Sequence, residues 1–350
     1  MKSLSLYTDK VKALKQKLGS SLVIMGHHYQ QDEIIQHVDL AGDSLQLAQM
    51  MDGINAEHIV FCGVHFMAES ACLLAKTGQK VYLPDMNASC LMAEMVPAQL
   101  LDIVIEKILN HGKKIVPLAY VNTSLAVKTI VGKHGGAVCT SSNAKKMLEW
   151  AYSQGDSVLF LPDRNLGNNV GNMLGIPQDK RHTLDIRNHG ENLDYNAIDR
   201  AKLIFWDGCC PIHEFFKEEH IDAMRQKYPQ AKIYVHPECP QEIVAKCDGA
   251  GSTSYLIDVA EKAQKDDVLV IGTETNLVNR LAQKHKDRGV TVIPLLAEAL
   301  CPDMAKITEA LLCKTLEDIV AGTAKPVQID TSLVDNAKKS LVRMLEHCAQ

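Results

Sequence analysis

The sequence predicts an α/β protein built from three similar parallel-sheet αβα units, related by pseudo-threefold symmetry around a central site. Three observations carry this prediction. Short apolar runs, each followed by helical sequence, recur in three blocks along the 350 residues, the pattern of strands alternating with helices in a parallel sheet. Runs such as Leu203-Ile204-Phe205 and Val268-Leu269-Val270-Ile271 are apolar throughout, as strands buried on both faces are. Each block also closes on one cysteine, Cys90, Cys210 or Cys301, so chemistry repeats along with pattern.

An amphipathic helix over 8–18, with Val11, Leu14 and Leu18 on one face, precedes the first unit and is expected to be peripheral. The first unit, 20–105, opens with the strand Leu22-Val23-Ile24-Met25 and the loop Gly26-His27-His28-Tyr29-Gln30. Gly42-Asp43-Ser44 starts a helix, Ile59-Val60-Phe61-Cys62 is the next strand, and Val81-Tyr82-Leu83 closes the unit before Cys90. The second unit, 112–225, repeats this grammar from Ile115-Val116-Pro117-Leu118-Ala119 into Tyr120-Val121-Asn122-Thr123. There Val138-Cys139-Thr140-Ser141-Ser142-Asn143 opens a helix, Val158-Leu159-Phe160-Leu161 is a strand, and Leu203-Ile204-Phe205 closes before Cys210. A stretch over 164–196, rich in Gly, Asn and charge, reads as an insertion forming a lid or a surface loop. The third unit, 230–320, runs from Ile233-Tyr234-Val235 into His236-Pro237-Glu238-Cys239, through Gly251-Ser252-Thr253-Ser254 and on to Val290-Thr291-Val292-Ile293 before Cys301. A final helix over 333–345 is expected to be peripheral.

Composition narrows the function. A net charge of −5 with interspersed signs and no basic cluster excludes a nucleic-acid or membrane surface. No apolar run approaches the ~20 residues that span a bilayer. The polar start, Met1 to Lys10, has no apolar signal core, and eleven cysteines in a chain this long are not a disulfide framework. A reducing cytoplasm is the expected location.

In a pseudo-threefold arrangement the strand edges converge, as ligand sites of parallel α/β folds do. The opening loops bring His27 and Tyr29, Tyr120 and Asn122, and His236 and Glu238; the helix starts bring Ser44, Ser141, Ser252 and Thr253. No Cys-x-x-Cys is present, which argues against a zinc ribbon or a thioredoxin-like dithiol. Three thiolates from three units can hold an iron-sulfur cluster with one iron left open, or a zinc ion. The remaining cysteines, Cys209 among them, read as packing or surface thiols. The serines also read as plain helix caps. No Gly-x-Gly-x-x-Gly turn or phosphate-binding P-loop is present. The rival from another class is a thiol- or zinc-containing protein that binds a metabolite without catalysis.

Several motifs, among them Gly26-His27-His28-Tyr29-Gln30, Gly42-Asp43-Ser44-Leu45, Leu161-Pro162-Asp163-Arg164-Asn165-Leu166-Gly167, Trp206-Asp207-Gly208 and His236-Pro237-Glu238-Cys239, resemble the quinolinate synthase family in order along nearly the whole chain. The resemblance implies a three-repeat α/β fold around a four-iron four-sulfur cluster held by three cysteines. It implies an enzyme of NAD biosynthesis, a carbon–carbon bond-forming transferase that condenses iminoaspartate with dihydroxyacetone phosphate to quinolinate, losing phosphate and two waters. A functional pairing with an L-aspartate oxidase or dehydrogenase follows from the same resemblance. Carried over, the cluster ligands are Cys90, Cys210 and Cys301, with Cys210 preferred to Cys209 because the family's cysteine stands three residues before the motif's histidine, here His213. Tyr29, His27, His236 and Glu238 are the implied proton shuttles. His27, Ser44, Asn122, Ser141, His236, Glu238, Ser252 and Thr253 are the implied substrate-binding set, with Tyr120 as a gate to the pocket.

Overall fold

The computed structural model describes residues 6–348. Among the described residues, thirteen strands form three sheets. The first holds β1 (Leu22–His27), β2 (Leu40–Gly42), β3 (His58–Cys62) and β4 (Lys80–Tyr82), in the order β2-β1-β3-β4. The second holds β5 (Ile115–Tyr120), β6 (Ala137–Cys139), β7 (Ser157–Leu161), β8 (Arg181–Thr183) and β9 (Leu203–Phe205), in the order β6-β5-β7-β9-β8. The third holds β10 (Lys232–Val235), β11 (Gly249–Ala250), β12 (Val268–Gly272) and β13 (Thr291–Pro294), in the order β11-β10-β12-β13. The strand pairs run parallel, and helices flank the sheets, as the apolar runs predict.

One connectivity recurs in each sheet: the chain leaves the first strand to one side, then crosses back to the other. That reversal opens a crevice beyond the carboxyl ends of the first and third strands, where parallel sheets bind ligands. Strands β5, β7 and β9 are buried along their whole length, which is why they are uniformly apolar. Fully buried Phe160, Phe205 and Trp206 each contribute roughly 2–3 kcal/mol of transfer free energy.

Two expectations change. The stretch 164–196 is neither a lid nor a mere surface loop: it opens with the helix Arg164–Met173, which buries Leu166 and Val170, adds β8 to the edge of the second sheet and runs on through the short helix Arg187–Gly190. Arg181 secures it, its guanidinium donating to the carbonyls of Ile176 and Asn168. The last helix, Thr331–Cys348, is not peripheral. It lies along the helix Leu125–Lys133 and buries Ala337, Ser340, Leu341 and Met344. Its approach is close enough that a Cβ on Gly132 would sit 1.9 Å from the Asn336 carbonyl oxygen. The first helix forms at Thr8–Leu18 as expected and packs on the helix Glu309–Ala321. No helix among the described residues is long and apolar enough to cross a membrane.

Candidate active site

A cavity of about 450 Å³ opens at the carboxyl ends of the strands and is lined from all three units. His27 ends β1 and Tyr120 ends β5, while His236 follows β10 directly. They reach the cavity together with Tyr29, Asn122 and Glu238. Ser44 and Thr253, each the first residue of its helix, and Ser141, in the turn before the helix Ala144–Gln154, line it too. Ser252 does not: its Oγ accepts the Tyr255 N–H at 3.3 Å and caps the helix Thr253–Lys262. The cap reading holds for Ser252 alone, since the cap beside Ser44 is Asp43 and the residue preceding the helix Ala144–Gln154 is Asn143.

The polar groups form a connected chain across the units. Thr253 donates to the Tyr29 hydroxyl at 3.1 Å, and that hydroxyl meets Thr273 Oγ1 at 2.8 Å. Thr273 meets His213 Nε2 at 3.0 Å, and His213 Nδ1 lies 2.6 Å from Glu238 Oε2. The His213 and His236 rings stack at 4.6 Å. His236 Nδ1 accepts the Glu238 N–H at 3.3 Å, so its proton sits on Nε2, which points at Ser141 Oγ 3.2 Å away. His27 Nδ1 likewise accepts the Tyr29 N–H at 3.2 Å.

Burial depresses both imidazoles, His27 and His236, to about 3 from an ordinary 6.5, so both are neutral. Burial also disfavours the Glu238 carboxylate, but His213 beside it and the hydrogen bonds from His213 and Tyr120 outweigh it and hold its pKa below the usual range. Tyr29 and Tyr120 are pushed well up, first by burial and then by the Glu238 charge, and remain phenols. Glu274, also lining the cavity, is raised by burial to about 7. The site thus sets neutral imidazole and phenol donors beside several carboxylates, Asp43, Glu238 and Glu274 among them, groups that can pass protons between them.

Cys90, Cys210 and Cys301 all line this cavity, one from each unit. Cys209 does not; its N–H points at Met95 Sδ, and Arg164 lies nearby. Burial raises Cys90 to about 12, Cys301 to about 11 and Cys210 well above its ordinary value, and the thiols' mutual proximity adds to the rise for Cys90 and Cys210. Burial disfavours the thiolate form of all three, and the charge of a bound metal centre is what would hold them ionised. Three converging thiols without a fourth cysteine in the lining fit a cluster with one open iron. Cys62, Cys139, Cys239 and Cys313 are buried packing groups.

Sequence reasoning missed Asp43, His213, Thr273 and Glu274 as site residues. His213 stood in plain view in Cys210-Pro211-Ile212-His213, and Asp43 and Glu274 each precede a helix, the position from which a carboxylate caps. Thr273 carries no signal.

Fold and cavity together define an α/β protein of three parallel sheets whose central pocket joins an acid–base network to three thiols. The family model described as "Quinolinate synthetase A protein" matches residues 9–346. The chain is 43% identical over 342 residues to the quinolinate synthase of Bacillus anthracis (strain A0248), covering 96% of this chain and 92% of that one. It is 42% identical, with the same coverage, to those of Bacillus cereus (strain Q1) and Bacillus thuringiensis subsp. konkukian (strain 97-27). The chain belongs to the quinolinate synthetase A family.

Proposed function

We propose that this chain is a quinolinate synthase of NAD biosynthesis, condensing iminoaspartate with dihydroxyacetone phosphate to quinolinate, phosphate and two waters. The observation that carries the reading is the convergence, in one cavity, of hydroxyl and amide donors, the Tyr29–Glu238 network and three thiols from three units. Cys90, Cys210 and Cys301 would hold a four-iron four-sulfur cluster. When bound, it supplies a Lewis-acidic iron free of any protein ligand.

The chain's own residues supply the rest. Ser44, Asn122 and Ser141 present donors to carboxylate and phosphate oxygens, and Thr253 lines the same wall while donating to the Tyr29 hydroxyl. Asn122 Oδ1 and Thr140 Oγ1 have no protein partner, which leaves them for substrate. Glu238 takes a proton, and the phenols of Tyr29 and Tyr120 return protons to departing oxygens. His236, neutral with its proton on Nε2, orients Ser141 so that the hydroxyl hydrogen points to substrate. His27, neutral as well, contributes a donor without charge. Tyr120 stands at the pocket as its gate. The unstable imine calls for a supplier close in the cell, an L-aspartate oxidase or dehydrogenase.

The test is anaerobic enzyme given dihydroxyacetone phosphate and iminoaspartate made in place by an L-aspartate oxidase. Quinolinate and phosphate should appear one to one; absence of quinolinate above the enzyme-free mixture rejects the reading. One observation favours a second reading: Cys210, His213 and Glu238 place their ligand atoms within 4.8 Å of one another, as a single zinc ion in a binding protein would need. Zinc in place of iron would select it.

A further inference from the structure

Asp43 holds the three units together at one point. It is buried, 5% exposed, at the start of the helix Ser44–Met50 in the first unit. Its Oδ1 accepts the N–H groups of Leu45 and Gln46 at 3.0 and 2.9 Å. Its Oδ2 accepts the hydroxyl of Ser142, from the second unit, at 3.0 Å and that of Ser254, from the third, at 2.5 Å. Four donors from three units therefore occupy one carboxylate.

The neighbours show what this accomplishes. Ser44 adjoins Asp43, Ser141 adjoins Ser142, and Thr253 adjoins Ser254; the first of each pair named here lines the cavity, whereas Ser142 and Ser254 do not. Beside them Thr140 Oγ1, on a residue 2% exposed that also lines the cavity, has no partner. A buried hydroxyl left without a partner is costly unless a ligand completes it. Asp43 reaches the same cavity wall, with both its oxygens already accepting hydrogen bonds from the four donors.

We propose that Asp43 is a positioning residue, clamping Ser142 and Ser254 so that the Ser44 and Ser141 hydroxyls converge on one anionic group of the substrate while Thr253 holds the Tyr29 hydroxyl beside it. The clamp acts through other residues and takes no proton itself. It rests on the reading of the cavity as a site for an anionic metabolite. The group it serves is a phosphoryl or a carboxylate group, which share the oxygens these hydroxyls recognise.

The test uses the anaerobic, iron-loaded enzyme and the variants Ser142→Ala, Ser254→Ala and their double, with Ser142→Thr as the hydroxyl-keeping control. Binding of inorganic phosphate and of succinate is measured by calorimetry without turnover, beside KM and kcat for quinolinate formation. The double variant should lose affinity for one of the two probes and raise KM roughly tenfold, with kcat and the visible spectrum within about twofold, the signature of lost binding shared by ground and transition states. Ser142→Thr should stay near wild type. The probe that is lost identifies the group. Affinity for both probes within about twofold of wild type overturns the clamp, as does loss of iron or of folding in both single variants, which would make the serines general architecture. Wild type that binds a probe through the clamp but forms no quinolinate rejects the activity and leaves the clamp standing.

Discussion

The Asp163 carboxylate accepts the backbone N–H of Cys210 at 2.9 Å through one oxygen while the other accepts the N–H of Leu166 at 2.7 Å and caps the helix Arg164–Met173. One side chain thus anchors a helix to the second sheet and fixes the loop that presents a thiol. Asp163→Ala should cost about 1 kcal/mol for the cap and loosen Cys210, so anaerobically purified protein should carry less iron than wild type. Asp163→Asn, which keeps a capping oxygen, should lose less. Equal iron in all three proteins would show that the bond to Cys210 does not hold the ligand loop.

Glu238 is the one carboxylate lying between the imidazoles of His213 and His236. Glu238→Gln preserves shape and removes the base, so kcat should fall roughly 10²-fold or more while iron content and visible spectrum stay unchanged. A kcat near wild type would remove Glu238 from the proton path.

Acid should destabilise the protein through His27 and His236. Each has an ordinary pKa of 6.5 that burial lowers to about 3 in the folded chain. Above pH 6.5 both states hold these groups neutral, and nothing is lost. Between 6.5 and about 3 the unfolded chain binds protons that the folded chain refuses, so stability falls as pH falls. The melting temperature of His27→Gln should decline less steeply over that window than that of wild type; parallel curves would contradict the assignment.

Gly132 faces the last helix so closely that any side chain collides with the Asn336 carbonyl, 1.9 Å from the Cβ position. Gly132→Ala should lower the melting temperature by on the order of 5 °C. Gly53→Ala, where an added Cβ meets nothing within 4 Å, should stay within about 1 °C. Matching losses would mean that the last helix is not clamped at this point.

The fold was legible where burial on both faces forces uninterrupted apolar runs, as in Val158-Leu159-Phe160-Leu161 and Leu203-Ile204-Phe205. It was not legible in β2, β6 and β11, because two or three residues between small side chains have no periodicity to read. The last helix shows an apolar stripe in its sequence, but a stripe does not name its partner, and Gly132 was needed to reveal it. At the site, the loop residues after the first strands were readable from chemical type. The helix starts were read one residue off in the first unit: Asp43 with Gln46 three places on is a capping box, and that leaves Ser44 free to face the cavity. Thr273 bridges Tyr29 and His213 across units, a relation only the folded chain contains.

At the centre of the proposed site, three thiols from three units act as one set. The most direct measurement is iron and sulfide content, with a visible spectrum, of anaerobically purified protein beside Cys90→Ala, Cys210→Ala, Cys301→Ala and Cys209→Ala. Wild type and Cys209→Ala should be brown with about four irons per chain, as a cubane cluster requires, and the other three should lose most of that iron and their quinolinate formation. A colourless or zinc-bearing wild type, or iron kept by Cys210→Ala and lost by Cys209→Ala, would contradict it.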